Sequence, residues 1–258
     1  MVSEENFQVH QLSEYIQSIY LIQEKDSLFL LDGCCSCDFK HIKSFIEEEL
    51  RLNLKHLKLV ISTHAHPDHM GALHKFKHHG IAIAGPKDIN QWYRGLSCFF
   101  TYSIDICLTY LVALNKKQKL RNIIFPRQIN LDYYLEEGQN IPGFSDWKVL
   151  ECPGHTAIDL SIYHTKKKIA YIADNIVSSR NKTFRPYPVC FPDLYKSSLK
   201  KYIDFGIEDF LIAHYGQIKI SSKTIADLMA STPASPRNHR NTILKILTKL
   251  LGRYIGKK

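Results

Sequence analysis

The stretch STHAHPDHMG, residues 62–71, sets His64, His66, Asp68 and His69 within six positions of one another. It directly follows the apolar run LKLVI (57–61), which reads as a strand, and its proline and acid suit the first turn of a helix. Along an extended segment residues two apart point the same way, so His64 and His66 can reach one point together. Asp68 and His69, at the helix start, can face a second point close by. Imidazole nitrogens with a carboxylate are ligands for zinc, and also for iron or manganese. A solvated loop gives four such residues no reason to converge.

Three later strand candidates each end at another ligand type. VLECPGHT (149–156) delivers His155 through a Pro-Gly turn, IAYIAD (169–174) delivers Asp174, and FLIAH (210–214) delivers His214. Five histidines and two aspartates are enough for two metal ions that share a carboxylate. The opening stretch therefore reads as half of a binuclear metal site.

The order THAHPDH, PGHT, IAD, AHYG resembles the metallo-β-lactamase superfamily, from the LDG turn at Asp32 to Gly216. That resemblance implies an α/β fold, the αβ/βα four-layer sandwich. It implies that His64, His66 and His155 hold one metal, that Asp68, His69 and His214 hold a second, and that Asp174 bridges them. The cofactors are then two divalent ions, Zn2+ first, with iron or manganese as the alternatives. Asp32 matches an acid near the end of the family's first hairpin that supports the site without being a ligand. Two paired cations can leave a bound water as hydroxide near neutral pH, and Asp68 is the candidate to orient it and pass a proton to the leaving group.

The expected function is a metal-dependent hydrolase acting on a small ester, lactone or thioester. Rivals with the same resemblance are a phosphodiesterase or nuclease similar to RNase Z, and a mono-iron oxidoreductase similar to the persulfide dioxygenases. The first would bring a long arm and an extra histidine motif, and neither is visible. The second leaves its second-site positions partly unused, whereas here they are filled. Three departures stand out: DHMGAL in place of DHxGG, IADN where a Gly-Asp pair is usual, and AHYG in place of the GHEY-like ending of glyoxalase II.

Composition agrees with an ordinary soluble globular protein: 45% hydrophobic and 23% charged over 258 residues. The net charge of +9 permits an anionic membrane or nucleic acid as partner without choosing either, and a small-molecule substrate is preferred to nucleic acid. The first residues lack a basic start and an apolar core, so no signal peptide is read there. Seven cysteines at irregular spacing read as reduced thiols in a cytoplasmic protein. Cys34, Cys35 and Cys37 follow the LDG turn and read as incidental thiols unless a depressed pKa makes them ligands or oxidant sensors.

No repeat or linker divides the chain, so a single domain over 1–258 is expected. It carries a helical insertion near 88–140 and a basic amphipathic helix near 238–256, which either docks on the domain or lies on an anionic membrane surface. The segment LSCFFTYSIDICLTYLVAL (96–114) has the length of a membrane span, but Asp105 at its centre would cost about 2.5–3.5 kcal/mol there. It is read as a mostly buried helix, a wall of a greasy substrate pocket or a homodimer contact. In the loop 178–196, Arg180, Lys182 and Arg185 are candidates to grip an anionic group, and Tyr187 and Tyr195 to donate to an oxyanion. His74, His78 and His79 read as surface residues.

Overall fold

A computed structural model describes residues 7–179 and 182–237. The expected C-terminal helix near 238–256 and Arg180 lie outside the described residues. Two six-stranded sheets form the centre of the fold. In the first, β1 (Phe7–Ser13), β2 (Ser18–Glu24) and β3 (Ser27–Leu31) form an antiparallel meander. β4 (Leu57–Ile61), β5 (Ala82–Pro86) and β6 (Tyr133–Leu135) then add in parallel beyond β3. The second sheet contains β7 (Asn140–Ile141), β8 (Phe144–Glu151), β9 (Leu160–His164) and β10 (Ile169–Tyr171). A separate hairpin of β11 (Val177–Ser179) and β12 (Lys182–Phe184) intervenes. β13 (Asp209–Leu211) and β14 (Gln217–Lys219) complete the sheet in the order β14-β13-β10-β9-β8-β7.

Alternation along the strands sorts side chains into layers. In β2 and β3, Tyr20, Ile22, Phe29 and Leu31 face the second sheet and pack with Trp147, Leu160 and Tyr171. Their neighbours Ile19, Leu21, Leu28 and Leu30 face outward onto the helical layer. That layer comprises α1 (Phe39–Ser44, running into a π turn over Phe45–Glu49), α2 (Pro67–Met70), α3 (Leu73–His78) and α4 (Ser97–Asn115). On the far side α5 (Pro192–Asp204) and α6 (Ser222–Ala230) cover the second sheet through Tyr195, Leu199, Tyr202, Ile225 and Leu228. The result is the αβ/βα four-layer sandwich.

α4 exists at the expected place, but it is not mostly buried: only 28% of the residues in Cys98–Asn115 are buried. Asp105, Ile106 and Tyr102 turn inward, while Phe99, Phe100 and Leu114 face out. Asp105 is not in an apolar surround either, since Trp92 Nε1 and Tyr93 OH donate to its carboxylate at 3.2 and 2.9 Å.

Beneath the site, Glu14 and Asp38 form a buried carboxyl pair, with His41 Nδ1 2.8 Å from Glu14. Burial raises both, Glu14 to about 7 against partial relief from Arg121, and Asp38 to about 7 with the Glu14 charge adding to it. The ordinary values are 4.5 and 3.8, so the folded state holds these protons where the unfolded chain has released them. Stability therefore falls as pH rises from about 4 through about 7. Asp38→Asn, which keeps an oxygen for the Tyr15 backbone N–H, is expected to be more stable than the parent by about 1–2 kcal/mol at pH 8, with no gain at pH 4. Urea midpoints at the two pH values check this.

Candidate metal centre

The ligand-bearing strands point the same way. β3 and β4 are parallel, β10 and β13 are parallel, and β8 runs with β10 because both are antiparallel to β9. Their C-terminal ends meet at one edge of the sandwich. His64, Asp174 and His214 each lie three residues beyond a strand end, at Ile61, Tyr171 and Leu211. Pro67 opens α2, so Asp68 and His69 occupy its first turn.

Two glycines allow these loops to close. A Cβ on Gly71 would lie 2.2 Å from the Pro67 carbonyl oxygen, and one on Gly154 would lie 2.6 Å from Tyr195 Cβ. Ala72, at the departure DHMGAL, sits at φ −96°, a conformation that needs no glycine.

All seven expected residues come together. His64, His66, His155 and Asp174 offer ligand atoms within 4.8 Å of one another, and so do Asp68, His69 and His214. His64 Nε2 lies 2.9 Å from His66 Nδ1, and His155 Nε2 lies 3.2 Å from the same atom. Asp174 faces both groups. Its Oδ2 lies 3.5 Å from His155 Nε2 and 3.9 Å from His64 Nε2, while Oδ1 lies 3.2 Å from His214 Nε2 and 3.4 Å from His69 Nε2.

The outer nitrogens show what the inner ones offer. Thr63 Oγ1 donates its one proton to Asp32, so it accepts from His64 Nδ1 at 3.0 Å. His155 Nδ1 donates to the Pro188 carbonyl at 2.9 Å, His69 Nδ1 to Asp32 at 2.7 Å, and His214 Nδ1 to the Ile16 carbonyl at 3.3 Å. In the neutral tautomers, His64 and His155 aim bare lone pairs at His66 Nδ1, which can carry one proton between them. Buried His69 Nε2 and Asp174 Oδ1 complete no hydrogen bond. Three nitrogens crowded around at most one proton, beside two carboxylates, fit a cation.

The carboxylates and imidazoles of the cluster also set one another's charge. Burial would raise Asp68 and Asp174, yet the facing imidazoles hold Asp68 at about 2 and Asp174 well below the carboxylate range. Conversely, burial opposes charge on His214, but Asp174 and Asp68 lift it to about 10. His64, with burial and the His69 charge both acting against a proton, is pushed down and stays neutral.

Asp32 supports the site from beneath. It is fully buried and accepts from Thr63 N at 2.7 Å, His69 Nδ1 at 2.7 Å and Tyr171 OH at 2.6 Å.

The other candidates separate. Tyr187 lines the small pocket over the ligands, with Ile16, Leu108, Thr109 and Val112, a space of about 140 Å³. Tyr195 is not an oxyanion donor: it is fully buried, its OH donates to the Asn175 carbonyl, and its ring lies under Gly154. Arg185 donates to the Ser231 carbonyl, and Lys182 is exposed on β12. Cys34 and Cys35 are buried, which pushes both thiols well above their ordinary range, so neither has the depressed pKa of a sensor. No disulfide is formed among the described residues. His78 and His79 are exposed, and His74 is half-buried. Larger hollows of about 440 and 540 Å³ lie elsewhere, and neither gathers a set of metal-ligating atoms like this one.

Sequence reasoning missed Asp105, whose Oδ2 lies 4.0 Å from His66 Nε2. The one acid in an apolar helix was its signal, read only as a penalty against a membrane span. Trp92 and Tyr93 fix this carboxylate so that it faces the outer nitrogen of His66, where its negative charge would favour a cation on the other side of the ring. Asp105→Asn is expected to weaken metal binding roughly 10- to 100-fold while leaving the fold intact. Chelator competition alongside circular dichroism measures both.

The family model of the metallo-β-lactamase superfamily matches residues 12–214. No curated protein matches the chain. Among solved structures, a metallo-β-lactamase family protein from Thermus thermophilus has a TM-score of 0.63 at 18% identity, covering 95% of this chain and 82% of that one. An archaeal superfamily protein from Sulfolobus tokodaii gives 0.61 at 15% identity, covering 89% of each chain. A metallo-β-lactamase from Pontibacter korlensis gives 0.57 at 11%, covering 90% and 98%. At these identities the structural likeness speaks for the fold alone. With the family match over most of its length, the chain belongs to the metallo-β-lactamase superfamily.

Proposed function

We propose that the protein is a metal-dependent hydrolase that binds two divalent ions, zinc in preference to iron or manganese, and cleaves a small ester, lactone or thioester. The observation that carries this reading is Asp174, with one carboxylate oxygen toward each histidine group. His64, His66 and His155 would hold one ion, Asp68, His69 and His214 the other, with Asp174 between them. When bound, the ions supply a water acidified to near-neutral pKa and a Lewis acid for the scissile carbonyl.

The chain's own residues do the rest. Asp68, kept ionised and 3.3 Å from His214 and 3.5 Å from His69, can accept a proton through Oδ2 and return it to the leaving group. Gln17 fixes the Asp68 backbone by donating to its carbonyl. Ile16, Leu108, Val112 and Tyr187 narrow the entrance and exclude water from an apolar substituent. A pocket of about 140 Å³ favours a small reacting group over a folded polymer.

The test compares zinc-loaded and chelator-stripped protein on p-nitrophenyl esters, lactones, acyl thioesters and bis-p-nitrophenyl phosphate. Zinc-dependent turnover of a carbonyl ester, lactone or thioester is the expected result. Turnover of the phosphodiester alone, or oxygen consumption with one iron per chain, would overturn it.

A further inference from the structure

α4 presents an apolar surface to solvent. Leu96 at its start is 89% exposed, Phe100 66%, Leu114 53% and Phe99 51%, with Arg127 over the Phe99 ring. Soluble proteins rarely leave such a face open unless something covers it. The charges around it are one-sided. From Ile89 to Leu131 the sequence has six Lys or Arg and a single acid, Asp105, which is buried and turned inward. Arg94 precedes the helix, and Lys117, Lys119 and Arg121 follow it, all exposed, while Lys116 turns its ammonium onto the Ile16 carbonyl. Cations thus bracket both ends of a 19-residue helix, roughly 28 Å long, with an exposed apolar side between them.

We infer that α4 docks on an anionic lipid surface, lying in the interface with Phe99, Phe100 and Leu114 among the acyl chains and the flanking cations against headgroup phosphates. The arrangement is that of an interfacial helix: an apolar face with basic residues at its margin. Asp105, held by Trp92 and Tyr93, keeps the opposite side of the helix in the protein, so the helix lies on the surface and does not cross it. A second copy packed face to face would set one cation cluster against another, which opposes a symmetric dimer here. The chain's own residues 238–258 hold six Lys or Arg and no acid, so that segment brings the same repulsion. An anionic bilayer is the cover whose charge complements the helix.

α4 also lines the pocket, through Leu108 and Val112. A substrate drawn from the lipid would carry an acyl chain beside the ester or thioester, a refinement that rests on the hydrolase reading. The docking itself does not rest on it.

Full-length protein is sedimented with vesicles of phosphatidylcholine, with and without 30% phosphatidylglycerol, at low and high salt. The expected result is binding to the anionic vesicles that weakens with salt, and about tenfold weaker binding for Phe100→Glu/Leu114→Glu. Both positions are exposed, and an unchanged melting temperature and metal content confirm an intact variant. Absence of binding by the parent would overturn the docking. So would equal binding by the variant, which would place the contact elsewhere, or a dimer that the variant dissociates without vesicle binding. Soluble-ester turnover, read in parallel, keeps the two readings apart: turnover without vesicle binding sinks only the docking, and vesicle binding without turnover sinks only the hydrolase.

Discussion

Asp174→Asn is expected to give a folded protein that binds fewer than two metal ions and loses at least about 10³-fold in kcat/KM. The amide has the shape of the carboxylate but only one acceptor atom and no charge. Oδ2 faces His155 and His64, and Oδ1 faces His214 and His69, so one substitution degrades both groups. Removal of a ligand from only one group would leave the other ion in place. Metal content and steady-state kinetics on the same preparation distinguish the cases. An unchanged stoichiometry with an unchanged rate would show that the two oxygens do not act as a bridge.

The largest stability loss is expected at Asp32, which no solvent reaches. Asp32→Ala strands the Thr63 N–H and hydroxyl, His69 Nδ1–H and the Tyr171 hydroxyl in a dry interior. Each buried donor left without a partner costs about 1–3 kcal/mol, and Ala must also adopt the φ of 78° that Asp32 holds. A loss of about 4 kcal/mol or more follows, a large part of the stability of an ordinary domain. Asp32→Asn, which keeps one oxygen and tolerates that φ, is expected to lose less. Urea unfolding ranks the three proteins, and an Ala variant within about 1 kcal/mol of the parent would contradict this role.

Much of this organisation was legible in the sequence for identifiable reasons. The four ligand-bearing stretches announce themselves because each ends a short apolar run, and a strand end is a place where the chain direction is fixed and the side chain free. The helix at Pro67 follows from a proline and an acid in its first turn.

What escaped was long-range. β1 and β14 are edge strands whose hydrogen bonds, not their composition, define them, and α6 is a short helix capped by Ser221. β6 has three residues and exists because β5 offers it an edge. The partners of the ligands were equally hidden. Ile16, Pro188 and Asp105 lie far along the chain from the histidines that they face, and two of them act through backbone carbonyls that any residue could supply. The exposure of α4 was misread because an apolar helix with one acid at its centre looks the same in sequence whether its outer face meets protein or not.

In the proposed hydrolase, seven side chains bind two ions around one shared carboxylate. Elemental mass spectrometry on protein purified without chelator or affinity-tag metal tests it most directly. The expected result is two divalent ions per chain, falling below two in Asp174→Asn. One ion or none in the parent, or two ions retained in the variant, would contradict it.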